Sequence, residues 1–483
     1  MEKTLIDSYR PAETTAGTWQ RGFVRQHGAI WLILIAGLVV RLFLLASSAD
    51  STLHIVDEQH YAQLASSLVR GDGFAFGPGK PTSMRPPLYP LFVASVWIVT
   101  GSESLQAVRA VQMFLGLATT LLVYRLARRL FDQRTAVVAA AIVCFYPSLL
   151  FSGVLLLTEV LFTLLLVLFV LTYSALMDRP TPSIAVATGV ALGLATLTRS
   201  VLWPFPIVLL PLVAVAARGN ARRRLAIAAC CLGGYVIVVG PWAFRNTRLQ
   251  HTLTIVDTMG GMNLRMGNYE YTPEDRMWDA VSLTGERNWA AILGRTHPEA
   301  VQWSDGQKEK WAQREAIAYM LANPATTAKR SLLKFADFWG LEREMIAGIQ
   351  QGLYRPPMWV AWLAILAVLI SYPLIVLGAA LGIFRAPAAD ARVQLLIVMI
   401  ILFITGIHSA VFGHSRYHLP LVPLLAMYAA AVSTRGVWRP LLTRPWRAPG
   451  PFVIAVVLIV TWVHEVFFRD VARIEALVRS LAG

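Results

Sequence analysis

The chain has little of what soluble enzymes are built from. Only 15% of its 483 residues are charged, and three cysteines occur, Cys144, Cys230 and Cys231, all inside apolar runs. With no CxxC spacing and no ligand set nearby, they read as small core residues and leave the redox compartment open. No HExxH, GxSxG or Walker pattern is present. The "GPGK" that ends at Lys80 is not a P-loop, because the first glycine is missing and Pro81 follows the lysine. The formal net charge is +15, yet no stretch interleaves basic and aromatic residues as nucleic-acid binding requires. The basic residues sit in short clusters between apolar spans, where they orient a membrane protein. No nucleic-acid partner is expected.

What is there is apolar sequence. Hydrophobic residues make up 56% of the chain and the mean hydropathy is +0.56, outside the range of soluble domains. Runs near the roughly 18-residue length of a membrane helix recur. Lipid forces backbone polar groups to pair within each span, so the expected fold is an all-α helical bundle. A barrel is excluded because its strands would alternate. About eleven spans are expected, near 29–47, 104–127, 135–153, 155–177, 183–199, 201–217, 224–244, 357–383, 393–413, 416–433 and 450–468.

Orientation follows from charge. Arg10, Arg21 and Arg25 precede the first span, in a polar segment too long for a secretory signal, so the N-terminus is expected in the cytoplasm. "PPLYPLFVASVWIVTG", Pro86 to Gly101, is short for a span. Reading it as an interfacial helix of the outer face puts "RLARRLFDQR" (Arg125 to Arg134), Asp178–Arg179, "RGNARRR" (Arg218 to Arg224), "RAPAADAR" (Arg385 to Arg392) and "RGVWRPLLTRPWR" (Arg435 to Arg447) all inside. Asp57, Glu58, Arg85, Glu159, Arg199, Arg245 and Arg416 then gather on the outer face. The expected organisation is a cytoplasmic segment 1–28, a transmembrane module 29–244 with a first external loop 49–103, and an external loop domain 245–356. A second module 357–468 and a tail 469–483 complete it. The loop domain, with balanced charges and several Trp, is expected as a small mixed cap.

The polar stretches carry the chemistry. "VDEQHYAQLASSLVRGDGF", Val56 to Phe74, places Asp57 where an N-cap belongs, with Tyr61, Leu64, Ala65 and Leu68 at helical spacing before Gly71. Asp57 is then either a cap, contributing about 1 kcal/mol, or a base for an acceptor hydroxyl with Glu58 as its neighbour. In "GKPTSMRPPLYP", Gly79 to Pro90, proline-stiffened backbone holds Lys80 and Arg85. Lys80 suits phospholipid headgroups or a substrate, and Arg85 an anionic ligand. Glu159 in "LLLTEVLF" and Arg199 in "LATLTRSVLWP" each cost about 2.5–3.5 kcal/mol at a helix centre, so a buried pair or polar cavity is expected. "GPWAFRNTRL" (Gly240 to Leu249) and "TMGGMNLRMGN" (Thr258 to Asn268) read as turn-rich, able to offer amides, Asn246 and Asn263 to a sugar or phosphate. In "GHSRYHLPLVP" (Gly413 to Pro423), His414 and His418 lack an accompanying carboxylate and are followed by Pro420, which argues against zinc. Arg416 there reads as a phosphate ligand.

Together these stretches resemble the GT-C membrane glycosyltransferases, most closely glycosyltransferase family 39, which includes protein O-mannosyltransferases and lipid A aminoarabinose transferases. The resemblance rests on "DE" at 57–58 with Tyr61, "RPPLYPLF" at 85–92, "TE" at 158–159, "LTR" at 197–199, "PWAFRN" at 241–246, "GGMNLRMGN" at 260–268 and "RYHLPLVP" at 416–423. It implies a transferase in the plasma (inner) membrane that moves a sugar from a polyprenyl-phosphate donor to an external glycan, lipid or protein acceptor. Asp57 would be the base and Glu58 its partner. Arg85, Arg199, Arg245 and Arg416 would bind the donor phosphate, and Tyr61, Lys80, Glu159, Asn246, Asn263 and Tyr417 would contact substrate. No cofactor is certain. Some GT-C enzymes use a divalent metal, which Asp57, Glu58 and Glu159 could ligate. A secondary transporter or lipid flippase is the alternative, although charges gathered at one face and the lack of an internal repeat fit it less well. A purely structural membrane protein would not need Glu159 and Arg199.

Overall fold

The computed structural model describes residues 15–48, 51–274, 277–350, 358–437 and 449–471, together with Glu475 and Arg479. Half of the expected N-terminal segment and most of the C-terminal tail lie outside the described residues. The fold is helical throughout, and the sheet-like pairing among the described residues is one isolated bridge between Ala75 and Pro81. Among the described residues, eight helices are long and apolar enough to cross a membrane. They are α1 (Thr15–Ser47), α4 (Leu105–Leu130), α7 (Glu159–Asp178), α10 (Ala221–Gln250), α16 (Met358–Arg385), α17 (Ala391–Ala410), the segment Ser415–Arg435 that contains α18 (Val422–Arg435), and the segment Pro449–Arg469 that contains α19 (Pro449–His464). Three other expected spans appear as shorter apolar helices: α5 (Gln133–Phe145), α8 (Pro182–Thr198) and α9 (Pro206–Ala216). The protein is a multi-pass membrane protein.

Small residues set the tightest approach. A Cβ on Gly189 of α8 would lie 1.9 Å from the Cys231 carbonyl oxygen of α10, and one on Gly234 of α10 would lie 2.3 Å from the Val186 carbonyl oxygen. The two backbones can touch only because both positions lack side chains.

The ends of the bundle differ in chemistry. At one end Arg129 pairs with Asp178, Arg435 with Asp132, and Arg392 donates to the carbonyls of Met177 and Ala216. These are the clusters read from sequence as cytoplasmic. At the other end lie the first loop, α2 (Val56–Arg70), the short α3 (Leu88–Thr100) and α6 (Pro147–Ser152). Arg109, only 2% exposed, ties that end together by donating to the carbonyls of Ser48, Ser51 and Val154.

The long loop is helical, not mixed as expected. α11 (Gly260–Gly267), α12 (Trp289–Thr296), α13 (Asp305–Ala322), α14 (Pro324–Phe338) and α15 (Glu344–Gln350) follow one another. α10 runs on to Gln250, so Arg245 and Asn246 sit on a helix, and the glycine-rich stretch expected as a turn forms α11.

Candidate active site

Five charged residues from five separate segments form one chain of alternating sign. Asp57 Oδ1 accepts from Arg85 Nη2 at 2.5 Å, and Asp57 Oδ2 accepts from Arg416 Nη2 at 3.1 Å. Arg416 Nε lies 2.9 Å from Glu159 Oε1, and Arg199 Nη1 lies 3.6 Å from the same oxygen. Local structure places each member. Asp57 stands in the first turn of α2, and Arg85 in the loop that Pro86 and Pro87 stiffen. Glu159 opens α7 and Arg199 caps the end of α8, so each charge complements its helix dipole. Arg416 lies in the 3₁₀ turn Ser415–Leu421.

Aromatic rings hold the cations. The Arg85 guanidinium lies 5.6 Å from the Tyr61 ring centroid, and Tyr61 meets Tyr89 edge-on at 5.0 Å. Arg199 and Arg416 lie 5.3 and 5.9 Å from the Tyr417 ring, which stacks on His408. Three guanidiniums face two carboxylates, which leaves one positive charge in the network. Burial alone would push Asp57 up, but Arg85 and Arg416 outweigh it and hold its carboxyl below the usual range.

Several expectations need correction. Asp57 is not the cap of α2, because the helix starts at Val56 and the capping position is Ile55. Glu58 does that work: Oε2 accepts from the backbone N–H groups of His54 and Ile55, and Oε1 from that of Leu156. With its carboxylate saturated and 1% exposed, Glu58 fastens α2 to the entrance of α7 and does not partner Asp57. Arg245 is a staple. It donates to the Thr82 and Phe74 carbonyls at 2.7 and 3.1 Å and lies 4.6 Å from the Trp242 ring centroid. Asn246, fully buried, bonds Ser83 and the Val256 carbonyl. Lys80 is exposed and Asn263 half-buried, and neither has a side-chain partner among the described residues or joins the network. The metal set fails too, since Asp57 and Glu159 face arginines and Glu58 faces backbone N–H groups. No group of three or more His, Cys, Asp or Glu suited to a metal occurs among the described residues.

Residues the sequence did not point to surround the network. His60 Nδ1 lies 3.0 Å from Arg85 Nη2. Asp257, held up by burial against the opposing effect of Ser200, Met259 and Arg85, lies on the same side. Glu342 contacts His418 Nε2 at 3.0 Å, and Glu344 Oε1 lies 3.4 Å from His414 Nε2. Both acids sit in the long loop, where no apolar context marks a charge as costly.

Residues 84–243 match the family model of dolichyl-phosphate-mannose-protein mannosyltransferases. The matched segment contains Arg85, Glu159 and Arg199. Among solved structures, the oligosaccharyltransferase of Archaeoglobus fulgidus in its apo form superposes with a TM-score of 0.51 at 16% identity, covering 93% of this chain and 56% of that one. The same enzyme tethered to an acceptor peptide gives 0.50 at 13% identity, covering 93% and 55%. ArnT from Cupriavidus metallidurans bound to undecaprenyl phosphate gives 0.42 at 15% identity, covering 85% and 79%. No curated protein matches the sequence significantly. The resemblance to GT-C glycosyltransferases read from the motifs is thus met by a family match over residues 84–243, a third of the chain, and by the fold. This chain spans little more than half the length of the archaeal enzyme.

Proposed function

We propose that this protein is a glycosyltransferase of the plasma (inner) membrane that moves a sugar from a polyprenyl-phosphate donor to an acceptor hydroxyl on the extracytoplasmic side. One observation carries the reading: Arg85, Asp57, Arg416, Glu159 and Arg199 meet in a single partly buried network with one surplus positive charge. Three guanidiniums that converge on one side of the bundle offer a phosphate diester the charge-assisted hydrogen bonds it takes when it displaces Asp57. The family whose model matches is named for dolichyl-phosphate-mannose, a donor of this kind. The arginine clusters at the far end of the bundle support an outward-facing site.

In this mechanism the donor phosphate enters between the guanidiniums of Arg85, Arg416 and Arg199. It competes for the arginines that otherwise bind Asp57. As they turn to the phosphate, Asp57 loses two charge-assisted hydrogen bonds and its basicity rises. Asp57 then takes the proton of the acceptor hydroxyl as that oxygen attacks the anomeric carbon. The C–O bond to phosphate breaks, and the arginines receive the leaving anion. Phosphate leaves readily, so orientation and aimed positive charge supply most of the acceleration.

The test uses the full chain in lipid nanodiscs with a panel of defined polyprenyl-phosphate sugars and acceptor glycans, lipids and peptides. Asp57→Asn, with unchanged folding, is expected to lower transfer at least about 10²-fold. Turnover at the parent rate would remove Asp57 from the mechanism.

A further inference from the structure

An open groove of about 770 Å³ runs between α1, α4 and α7 at the end of the bundle away from the network. Glu159 opens α7 and Asp178 ends it, so about 30 Å of helix separates the groove from the network. The lining is ordered by depth. Leu34 of α1, Leu121 of α4 and Leu171 of α7 form the inner part and pack against the core. Nearer the end of the bundle come Arg125, Arg128 and Arg129, in the last two turns of α4, and Asp178. Leu121, Arg125 and Arg128 stand at i, i+4 and i+7, so one face of α4 turns from apolar to cationic over about 10 Å. Leu171 and Asp178 repeat the seven-residue step on α7. Trp31, three residues before Leu34 on α1, is 56% exposed at the same mouth. An indole is favoured there, where hydrocarbon meets headgroups.

The cations of the groove are unequally engaged. Arg129 pairs with Asp178 and donates to the Ser174 carbonyl at 3.0 Å, so its charge is matched. Arg125 and Arg128 are exposed and have no hydrogen-bond or ion-pair partner among the described residues. The charge bias that sets topology accounts for arginines at this end. It does not call for two such arginines, one turn apart, directly above an apolar trough.

We infer that the groove is a seat for an anionic phospholipid of the leaflet at this end, its phosphate between Arg125 and Arg128 and an acyl chain along Leu34, Leu121 and Leu171. A phosphate diester accepts hydrogen bonds from both guanidiniums, which one helical turn brings within reach of the same group. The trough beneath suits hydrocarbon and offers a free anion nothing, so the occupant is a lipid and not inorganic phosphate. Basic pockets between membrane helices are a recurrent form of headgroup site. Of the eight spans, α1 has the smallest buried share, 17%. A lipid wedged between α1 and α7 therefore supplies packing that the chain does not provide itself. The seat shares no residue with the proposed transfer, and the two stand or fall separately.

Native mass spectrometry of the full chain, released from nanodiscs of phosphatidylcholine and phosphatidylglycerol with identical acyl chains, tests the seat without any turnover. The parent is expected to retain phosphatidylglycerol over phosphatidylcholine. Arg125→Gln combined with Arg128→Gln should lower that retention at least about tenfold, since each arginine near an anionic headgroup is worth about fivefold. Arg218→Gln combined with Arg222→Gln removes the same charge at the same end but outside the groove, and should retain the lipid as the parent does. Leu34→Trp fills the trough, keeps both arginines and should lose the lipid. Thermal midpoints in the same nanodiscs check folding, and phosphatidylglycerol should raise the midpoint of the parent but not that of the Arg125 and Arg128 double variant. Equal losses in the two arginine pairs would overturn the seat in favour of general surface charge. Unchanged retention in Leu34→Trp would overturn the acyl-chain trough. Displacement by millimolar inorganic phosphate would assign the arginines to a free anion and overturn the lipid as occupant. Retention of undecaprenyl phosphate in place of phosphatidylglycerol, abolished by the Arg125 and Arg128 substitutions, would overturn it in favour of a polyprenyl lipid.

Discussion

Two charged clusters of this protein use the same alternation of arginine and carboxylate and do different work. In the first, Arg85, Asp57, Arg416, Glu159 and Arg199 follow one another, Glu159 and Arg416 line a small cavity, and Glu159 Oε2 has no hydrogen-bond partner. In the second, Arg469 bonds Asp337 and Glu465, and Arg343 bonds Glu465 and Asp470. Glu465 Oε2 is closed off by the Leu341 N–H at 2.9 Å. The second cluster pins the end of the last helix to the segment that carries Glu342 and Glu344. Alternating charge is therefore not itself the mark of a site. The difference is that a carboxylate oxygen of Glu159 is left over in the first cluster, whereas the atom left over in the second is a guanidinium nitrogen, Arg469 Nε.

Breaking one carboxylate in each cluster sharpens that contrast most. Glu159→Gln should lower sugar transfer about 10²–10³-fold, the loss typical when a group that organises transition-state charge is removed, with thermal stability less affected. Glu465→Gln should act the other way. Removing one partner of a buried pair costs about 3–5 kcal/mol, read as a lower unfolding midpoint, while transfer measured below that midpoint is retained. Equal activity losses in the two variants would mean that the clusters are not distinct.

Acidity separates the clusters by sign. Asp337, in α14, has its carboxyl pushed up to about 6, because burial outweighs the nearby Arg469 and Arg343. Between the ordinary value of 3.8 and about 6, the folded state binds the proton that the unfolded state has released. Stability therefore falls as pH rises through that window, and the loss is complete above it. Asp57 is held low, so its contribution is present above the ordinary value and is lost as pH falls through the folded one. Thermal midpoints taken from pH 3.5 to 7 should show a falling slope between about 4 and 6 that Asp337→Asn reduces. Asp57→Asn should leave that slope in place and alter only the acid side.

How much of this was readable in advance follows from what a charge costs in each setting. Inside apolar runs a charge is expensive, so its presence is informative: Glu159 and Arg199 stand out for that reason and do meet, with Arg416, read as a phosphate ligand, between them. Arg85 was marked by the prolines that follow it. The capping role offered to Asp57 falls to Glu58 because the cap position is Ile55, two residues before the expected one, and each residue turns a side chain by about 100° around a helix. The spans were legible from length and hydropathy, including the three that the structure shortens. Glu342, Glu344 and the partners of Arg245 were not, because they depend on how loops fold back, which no periodicity encodes.

Arg245 gives the smallest and most specific test. Sequence placed it with the phosphate-binding cations, whereas its guanidinium is spent on the carbonyls of Phe74 and Thr82, the Asn246 side chain and the Trp242 ring. These contacts fasten the loop that carries Arg85 to α10. Arg245→Ala should therefore cost about 1–3 kcal/mol of stability, the range for charge-assisted hydrogen bonds. The affinity for bare undecaprenyl phosphate, titrated in nanodiscs well below the unfolding midpoint, should change less than about threefold, whereas Arg416→Ala should weaken it at least about tenfold. If the two variants lost affinity alike, the staple would itself be a ligand, and the boundary of the phosphate site would have to move outward from Arg85 to α10.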